Sequence, residues 1–294
     1  MRILIIGRHG QLAKSIRSLI INTTLDVELY FSNKKELDLS CDSSIDDFFN
    51  NNIFDIIVNC AAYTFVDMAE SEESLANQIN HLAVRKLAKV ALKQNAKIIH
   101  ISTDYVFSGN TTTPYIESDS TFPINTYGKT KLAGEKIILK LLPNNAIIIR
   151  TSWLYSEYGN NFIKTILKLG REKENLNIVC DQIGSPTYAG DLASAIINIA
   201  IHKDIRGKNF ATQIYHYSSL GQCSWYEFAK EIFKISDIKC NIRPITSKQY
   251  FTKAKRPTFS ALNSEKIINT FDIKIPKLEA SLKKCINGLK DEQL

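Results

Sequence analysis

Tyr127 and Lys131 stand four residues apart in "INTYGKTKLAGEK" (124–136), a segment that predicts a helix from about Asn125. Residues at i and i+4 share one helix face, so a phenol and an ammonium can both point into one cleft. A cation beside a phenol lowers its pKa from a reference of about 10, which makes tyrosine usable as a proton donor or acceptor near neutral pH. The same spacing also suits an aromatic ring beside a solvated surface lysine. The pair alone decides nothing; the elements around it do.

"HISTDYVFSG" (100–109) ends a predicted strand and sets the adjacent hydroxyls of Ser102 and Thr103 at the C-terminal edge, where doubly wound sheets bind ligands. A hydroxyl there can hydrogen-bond a substrate carbonyl while Tyr127 delivers a proton. Upstream, "GRHGQLA" (7–13) directly follows the first predicted strand and opens the first helix, with Gly7, Gly10 and Ala13 at GxxGxxA spacing. Backbone N–H groups at such a helix start attract a pyrophosphate, and glycines let it come close. A tight strand-to-helix turn needs the same glycines for steric reasons, so the dinucleotide reading rests on the motif's place as the first turn of a βαβ series. The second predicted strand ends in "YFSNKKELDLS" (30–40), with no acid at Ser32 or Asn33 to take ribose hydroxyls. Arg8, Lys34 and Lys35 can neutralise a 2′-phosphate instead. NADPH is therefore the preferred cofactor and NADH the alternative.

Apolar runs and helical patterns alternate through the first half: "RILIIG" (2–7), a helix from about Gln11, "DVELYF" (26–31), "FDIIVNCAA" (54–62), a long helix over about 72–94, "AKIIHIS" (96–102), the Tyr127 helix and "AIIIRTS" (146–152). Short runs rich in Ile and Val, spaced by amphipathic helices, imply a parallel sheet covered on both faces, an α/β Rossmann-type doubly wound fold. After about residue 155 the pattern loosens into helices over about 160–171, 189–202 and 224–235, strands "NLNIVC" (175–180) and "YHYS" (215–218), and the basic loop "TKAKRPTFSAL" (252–262). The expectation is a dinucleotide-binding domain over 1–155 that carries Tyr127 and Lys131. A smaller α+β lobe over 156–294 mainly binds substrate, and the chain is free to cross back.

With 44% hydrophobic and 23% charged residues the chain has the composition of a folded globular protein. Its net charge of +7 is spread along the sequence and alternates with acids, which suits a small polyanion such as a dinucleotide or nucleotide sugar rather than nucleic acid. No apolar run approaches the ~20 residues of a membrane span. "MRILIIGRHG" breaks at Gly7 too soon for a secretory core, so the cytoplasm is the expected location. Six cysteines without a CxxC are expected to be reduced, with Cys60 a buried thiol. The five histidines lack zinc-ligand spacing, which leaves no metal centre built from this chain alone, and His100 is expected to be a packed strand residue.

In order along the chain, "GRHGQLA", "NCAAYTFVDMAESE", "STDYVFSG", "YGKTKLAGEK", "RTSWLYSEYGNNF", "DQIGSPTYAGDLA", "SWYEFA" and "RPTFSAL" resemble the extended short-chain dehydrogenase/reductases. Within them they are most similar to the branch that reduces dTDP-4-dehydrorhamnose. Ala13 replaces that group's usual third glycine. The resemblance implies NAD(P)H-dependent reduction of the C4 ketone of dTDP-4-dehydro-L-rhamnose to dTDP-L-rhamnose, a precursor of cell-surface polysaccharide. It makes Tyr127 the proton donor, Lys131 the residue that tunes it and grips the nicotinamide ribose, and Thr103 the group that polarises the ketone.

The same resemblance implies that Gly7, Gly10, Gln11 and Leu12 line the pyrophosphate, Asp38 and Leu39 the adenine, and Ala61, Ala62 and Tyr63 the nicotinamide. Asp104 joins Thr103 in contacting substrate, and Tyr105 and Trp153 bracket the hexose, with core packing the other reading of Trp153. Asn161, Gln182, Thr187 and Arg256 fall in segments near the nucleotide sugar, and Arg256 either supplies a cation to its diphosphate or ties the basic loop to an acidic neighbour. "AKS" (13–15) stands where magnesium-linked dimers of the group can carry a glutamate, which argues against a metal bridge here. Monomer and homodimer both stay open. So do two other functions: a nucleotide-sugar epimerase or dehydratase that keeps its NAD, and a regulatory subunit similar to the β subunit of methionine adenosyltransferase, which acts through a partner.

Overall fold

The computed structural model describes residues 1–21, 27–206 and 210–291. Its centre is a six-stranded parallel sheet in the order β2-β1-β3-β4-β5-β10. The strands are β1 (Arg2–Ile6), β2 (Glu28–Ser32), β3 (Ile56–Asn59), β4 (Lys97–Thr103), β5 (Ala146–Thr151) and β10 (Gln213–His216). Residue 26 of the expected second strand lies outside the described residues, as do residues 292–294 of the expected C-terminal lobe. Alternate side chains of each strand leave opposite faces of a sheet, and here both faces are buried. Ile3, Ile5, Ile56, Val58 and Ile149 enter one core, while Leu4, Ile6, Ile57, Ile98 and Ile148 enter the other. This is why the strands read as continuous Ile-rich runs rather than as alternating ones.

The first core is closed by α1 (Gln11–Ile21) and α8 (Ala189–Ile201). The second is closed by α2 (Asp42–Asn50), α5 (Ala83–Gln94) and α6 (Thr126–Leu141). Between β3 and α5 come the short helices α3 (Val66–Ala69) and α4 (Glu73–Asn77), and then a π-helical turn at Gln78–Leu82. The expected helix over 72–94 is thus present as one helical run from Glu73 to Gln94, widened in its middle by the π-helical turn that carries Asn80.

The remaining helices and strands build outward from the sheet's C-terminal edge. Short pairs β6 (Leu154–Tyr155) with β9 (Thr187–Tyr188), β7 (Asn175–Val179) with β12 (Asn241–Ile245), and β8 (Ile183–Gly184) with β11 (Cys223–Ser224) hold α7 (Phe162–Glu172), α10 (Trp225–Ser236) and α12 (Leu278–Asp291). A separate core of Ile163, Ile166, Phe228, Ile232 and Leu282 unites these three helices. Short α9 (Lys203–Arg206) follows α8, and α11 (Glu265–Phe271) buries Ile267 and Phe271 against the sheet body. The chain therefore returns to the main sheet through α8, β10 and α11. All six cysteines are free, and Cys60 is partly buried rather than fully so. Among the described residues no helix is long and apolar enough to cross a membrane.

Candidate active site

The strand order reverses direction at β1 and β3, and ligands of open parallel sheets bind beyond the strand ends at such a point. Gly7 leaves β1 there with φ of +96°, and a Cβ on it would lie 3.2 Å from the Ala61 Cβ that follows β3. Positive φ and close approach both demand glycine. The turn is fixed by Arg8 N–H donating to the Ser32 carbonyl at 3.0 Å and Gly10 N–H to that of Gly7 at 2.8 Å. The open N–H groups of the first turn of α1 then face the crevice, the arrangement an anion requires. A pyrophosphate fits this glycine cradle.

Leu12 is buried in the first core, so only its backbone is available to a ligand. Gln11 Oε1 accepts hydrogen bonds from Ser156 Oγ at 3.0 Å and Asn161 Nδ2 at 2.9 Å, which ties the cradle to the outer lobe. Asn161 also caps α7 by accepting from Lys164 N–H. At the end of β2, Lys34 lies 3.8 Å from Asp38, whose Oδ1 accepts from Ser40, while Leu39 is buried. Lys35 is exposed. Glu36 folds back so that its carboxylate accepts from Asn33 N–H at 2.9 Å and the Tyr30 hydroxyl at 3.3 Å. An acid therefore does stand at the end of β2, a few residues later in sequence than Ser32 and Asn33.

Thr103, the last residue of β4, donates from Oγ1 to Asp104 Oδ1 at 3.0 Å and accepts from Tyr105 N–H at 3.1 Å. Its side chain also hydrogen-bonds the Tyr127 hydroxyl. Ser102, one residue earlier, turns away and donates to Glu135 Oε1 at 2.5 Å, so of the two adjacent hydroxyls only Thr103 meets Tyr127. Asn125 caps α6 by accepting from Gly128 N–H at 2.8 Å. A Cβ on Gly128 would collide with the Tyr105 carbonyl oxygen, so glycine lets the first turn of α6 press against the end of β4. Tyr127 and Tyr105 meet edge to face with centroids 5.8 Å apart.

Burial pushes the Tyr127 hydroxyl up to about 12, with Thr103 pulling it back and Asp104 pushing further up. The phenol is thus a neutral donor, and the lowering expected from a lysine four residues on is absent, because Lys131 is not among the groups that shift it. Lys131 is 1% exposed, and burial lowers its ammonium to about 8 while Glu135 opposes the shift. Its Nζ donates to the Ile101 carbonyl at 2.6 Å and lies 3.4 Å from His100 Nε2. Burial likewise raises the Asp104 carboxyl to about 7, against hydrogen bonds from Ser260 and Thr103.

Beneath these groups Arg150 of β5 and Glu135 of α6 form a buried ion pair, with Nη2 to Oε2 at 2.7 Å and Nε to Oε1 at 3.0 Å. Removing one member of such a pair costs about 3–5 kcal/mol, because the other charge stays behind unpaired. The pair clamps α6, and with it Tyr127 and Lys131, to the sheet.

Of the remaining sequence-derived positions, Ala61 and Ala62 follow β3 and are partly exposed beside the cradle. Tyr63 is buried, with its hydroxyl donating to Glu72 at 2.7 Å. Trp153 stacks on Trp225 with centroids 3.4 Å apart, and both rings remain partly exposed rather than packed in a core. Thr187 is fully buried and accepts from Thr151 Oγ1, and Gln182 donates to Ser247 Oγ at 2.9 Å. Arg256 is held by Asp67 and also hydrogen-bonds Tyr105. The structure thus gathers Thr103, Asp104, Tyr105, Tyr127 and Arg256, with Lys131 one turn along α6 held by the Ile101 carbonyl, while Thr187 keeps no surface of its own.

The profile of the RmlD substrate binding domain matches residues 1–290. The chain belongs to the RmlD substrate binding domain family. A dTDP-4-dehydrorhamnose reductase of Aggregatibacter actinomycetemcomitans is 42% identical over 291 residues, which span 96% of this chain and 97% of that one. A crystal structure of a dTDP-4-dehydrorhamnose reductase from Clostridium acetobutylicum superposes with a TM-score of 0.92 at 36% identity, covering 99% of this chain and 100% of that one. The Bacillus anthracis enzyme of the same name, solved in complex with NADP, gives 0.89 at 39% identity over 98% and 99%.

Two residues of this RmlD-family chain escaped the sequence reading. Asn80 is buried in the π-helical turn, accepts from Tyr63 N–H at 2.9 Å, and donates to the Tyr63 carbonyl and to Thr130 Oγ1, each at 3.1 Å. It locks the loop after β3 to α6. The available signal was its place on the apolar stripe Ala76, Ala83, Val84 and Leu87, where an amide must find buried partners. A widened turn that carries such a residue is typical of functional sites. The other is His100, packed in β4 as expected but also in contact with Lys131.

Proposed function

We propose that this protein reduces the C4 ketone of dTDP-4-dehydro-L-rhamnose to dTDP-L-rhamnose with NADPH, in nucleotide-sugar synthesis for polysaccharide. The observation that carries the reading is the hydrogen bond of Thr103 with Tyr127 at the end of β4, with buried Lys131 one turn along the same helix, in a chain whose full-length relatives bear that activity's name. When bound, the reduced nicotinamide supplies the hydride that reaches C4.

The chain's own residues do the rest. Thr103 hydrogen-bonds the ketone oxygen and orients it, and Tyr127 gives that oxygen its proton as negative charge develops there. Lys131, with its charge retained, favours the phenolate that Tyr127 leaves behind. Gly7, Gly10, Gln11 and the Leu12 backbone hold the pyrophosphate. Asp38 and Leu39 flank the adenine, and Ala61, Ala62 and Tyr63 flank the nicotinamide. Asp104 and Tyr105 border the hexose, as does the accessible part of Trp153. Arg256 offers a cation to the diphosphate, and Asn161, Gln182 and Thr187 shape the walls behind it. Arg8 and Lys34 favour the 2′-phosphate, which makes NADPH the better cofactor than NADH.

The domain division at about residue 155, a cytoplasmic location and a monomeric or homodimeric state without a magnesium bridge belong to the same reading. The test is to supply the ketosugar and follow the reduced cofactor. One NADPH consumed per dTDP-L-rhamnose formed is expected. Conversion of the sugar without net cofactor loss would mark an epimerase or dehydratase, and no conversion beside tight binding of another enzyme would mark a regulatory subunit.

A further inference from the structure

Lys131 has an unusual buried neighbourhood. Asn59 at the end of β3 is 1% exposed, and its Oδ1 accepts from Ala61 N–H at 3.1 Å. An N–H can only donate, so the amide oxygen must face Ala61, and Asn59 Nδ2 must face His100 Nδ1, 3.2 Å away. Because Nδ2 is a donor, Nδ1 of the imidazole accepts, and the ring's proton is on Nε2. That N–H points at Lys131 Nζ, 3.4 Å away.

An N–H facing an ammonium is a contact between two donors, whereas an N–H facing a neutral amine is a hydrogen bond. We propose that His100 is a positioning residue which, held by Asn59 in its Nε2–H form, sets the charge state of Lys131 and through it the proton donor Tyr127.

The other groups around Nζ leave this role to His100. On β4 the Ile101 carbonyl accepts one Nζ proton at 2.6 Å. On α6 Glu135, bonded by Arg150 of β5 and by Ser102, pulls the Lys131 ammonium upward, the direction opposite to the effect of a donor aimed at Nζ. His100 cannot become a second cation there, since burial and the nearby Lys131 hold it well below the usual histidine range. Burial brings Lys131 itself to about 8, so a donor aimed at Nζ acts where the charge is balanced near neutral pH.

The link to turnover rests on the reductase reading; the tautomer does not, and two readouts separate them. Nitrogen NMR of protein labelled at its histidines, with His100 assigned by its loss in His100→Asn, should show a neutral Nε2–H ring that does not titrate through neutral pH. Asn59→Asp offers an acceptor to both Ala61 and Nδ1, so the proton should move to Nδ1 and an Nε2 lone pair should face Lys131. The alkaline limb of the turnover profile should then move up by on the order of one pH unit relative to the native protein. His100→Asn, which leaves room for water beside Nζ, should move it in the same direction and serves if Asn59→Asp fails to fold. A proton on Nδ1 or on both nitrogens of native His100 overturns the proposal. So does an alkaline limb that stays in place in the folded variants of an active enzyme.

Discussion

Arg256 and Asp67, 189 residues apart, form a two-pronged ion pair: Nη2 to Oδ2 at 2.7 Å and Nη1 to Oδ1 at 3.2 Å. Asp67 lies in α3, a few residues after Ala61, Ala62 and Tyr63, and Ala254 N–H donates to the same carboxylate at 3.0 Å. The pair ties the basic loop across the mouth of the site. The Arg256 hydrogen bond holds the Asp67 carboxyl below its usual range, so this tie is present above the ordinary aspartate pKa and is lost as pH falls through the lowered value.

Arg256→Ala should raise KM for the nucleotide sugar by roughly ten- to a hundredfold, with NADPH affinity unchanged. Arg256→Lys should recover only part of it, because an ammonium cannot reproduce the fork. Steady-state kinetics with each ligand varied in turn checks this. Equal KM values for native protein and Arg256→Ala would remove Arg256 from the substrate site.

Asp104 makes stability depend on pH in the direction opposite to Asp67. Its carboxyl is raised to about 7 in the fold, against 3.8 for the ordinary group. Between those values the folded chain keeps a proton that the unfolded chain has lost, so stability falls as pH rises and levels off above about 7. Asp104→Asn should therefore stabilise the protein by up to a few kcal/mol at pH 8, and far less near pH 4. Urea unfolding at the two pH values measures the difference, and an equal effect at both would contradict the raised carboxyl.

Cofactor preference should respond to opposing charges at the end of β2. Arg8→Ala and Lys34→Ala should each lower kcat/KM for NADPH by about tenfold while leaving NADH little changed. Glu36→Gln should shift preference further towards NADPH, since the carboxylate that caps Asn33 sits on the same loop. Parallel rates with the two cofactors decide it.

Tyr127→Phe keeps the ring and its contact with Tyr105 but has no proton to give. Turnover should fall by about a hundred- to ten-thousandfold with NADPH binding intact. Turnover within a few fold of the native protein would transfer the acid role elsewhere.

Much of this site could be read from the chain. Gly7, Gly10 and Ala13 next to an Ile-rich strand, and Tyr127 and Lys131 at helical spacing, are local patterns, and local patterns survive without coordinates. What escaped depends on distant partners. Asn80 sits in a π-turn within the helix expected over 72–94, and its amide serves Tyr63 and Thr130, 17 and 50 residues away. Ser102 and Thr103 look equivalent in sequence, but Glu135 captures one hydroxyl and leaves the other to Tyr127. Trp153 and Trp225 lie far apart in sequence, so their stack could not be read from either residue's neighbours. Helices α2, α11 and α12 were missed for another reason. Each is an amphipathic segment whose apolar face is defined by the element it packs against.

The central claim is hydride delivery to a sugar ketone with net consumption of cofactor. It is tested most directly with NADPH deuterated at the transferring position, dTDP-4-dehydro-L-rhamnose as substrate and NMR of the product. One deuterium at C4 of dTDP-L-rhamnose for each cofactor oxidised is the predicted result. Deuterium found only in the recovered cofactor, or a product with hydrogen alone at C4, would contradict it.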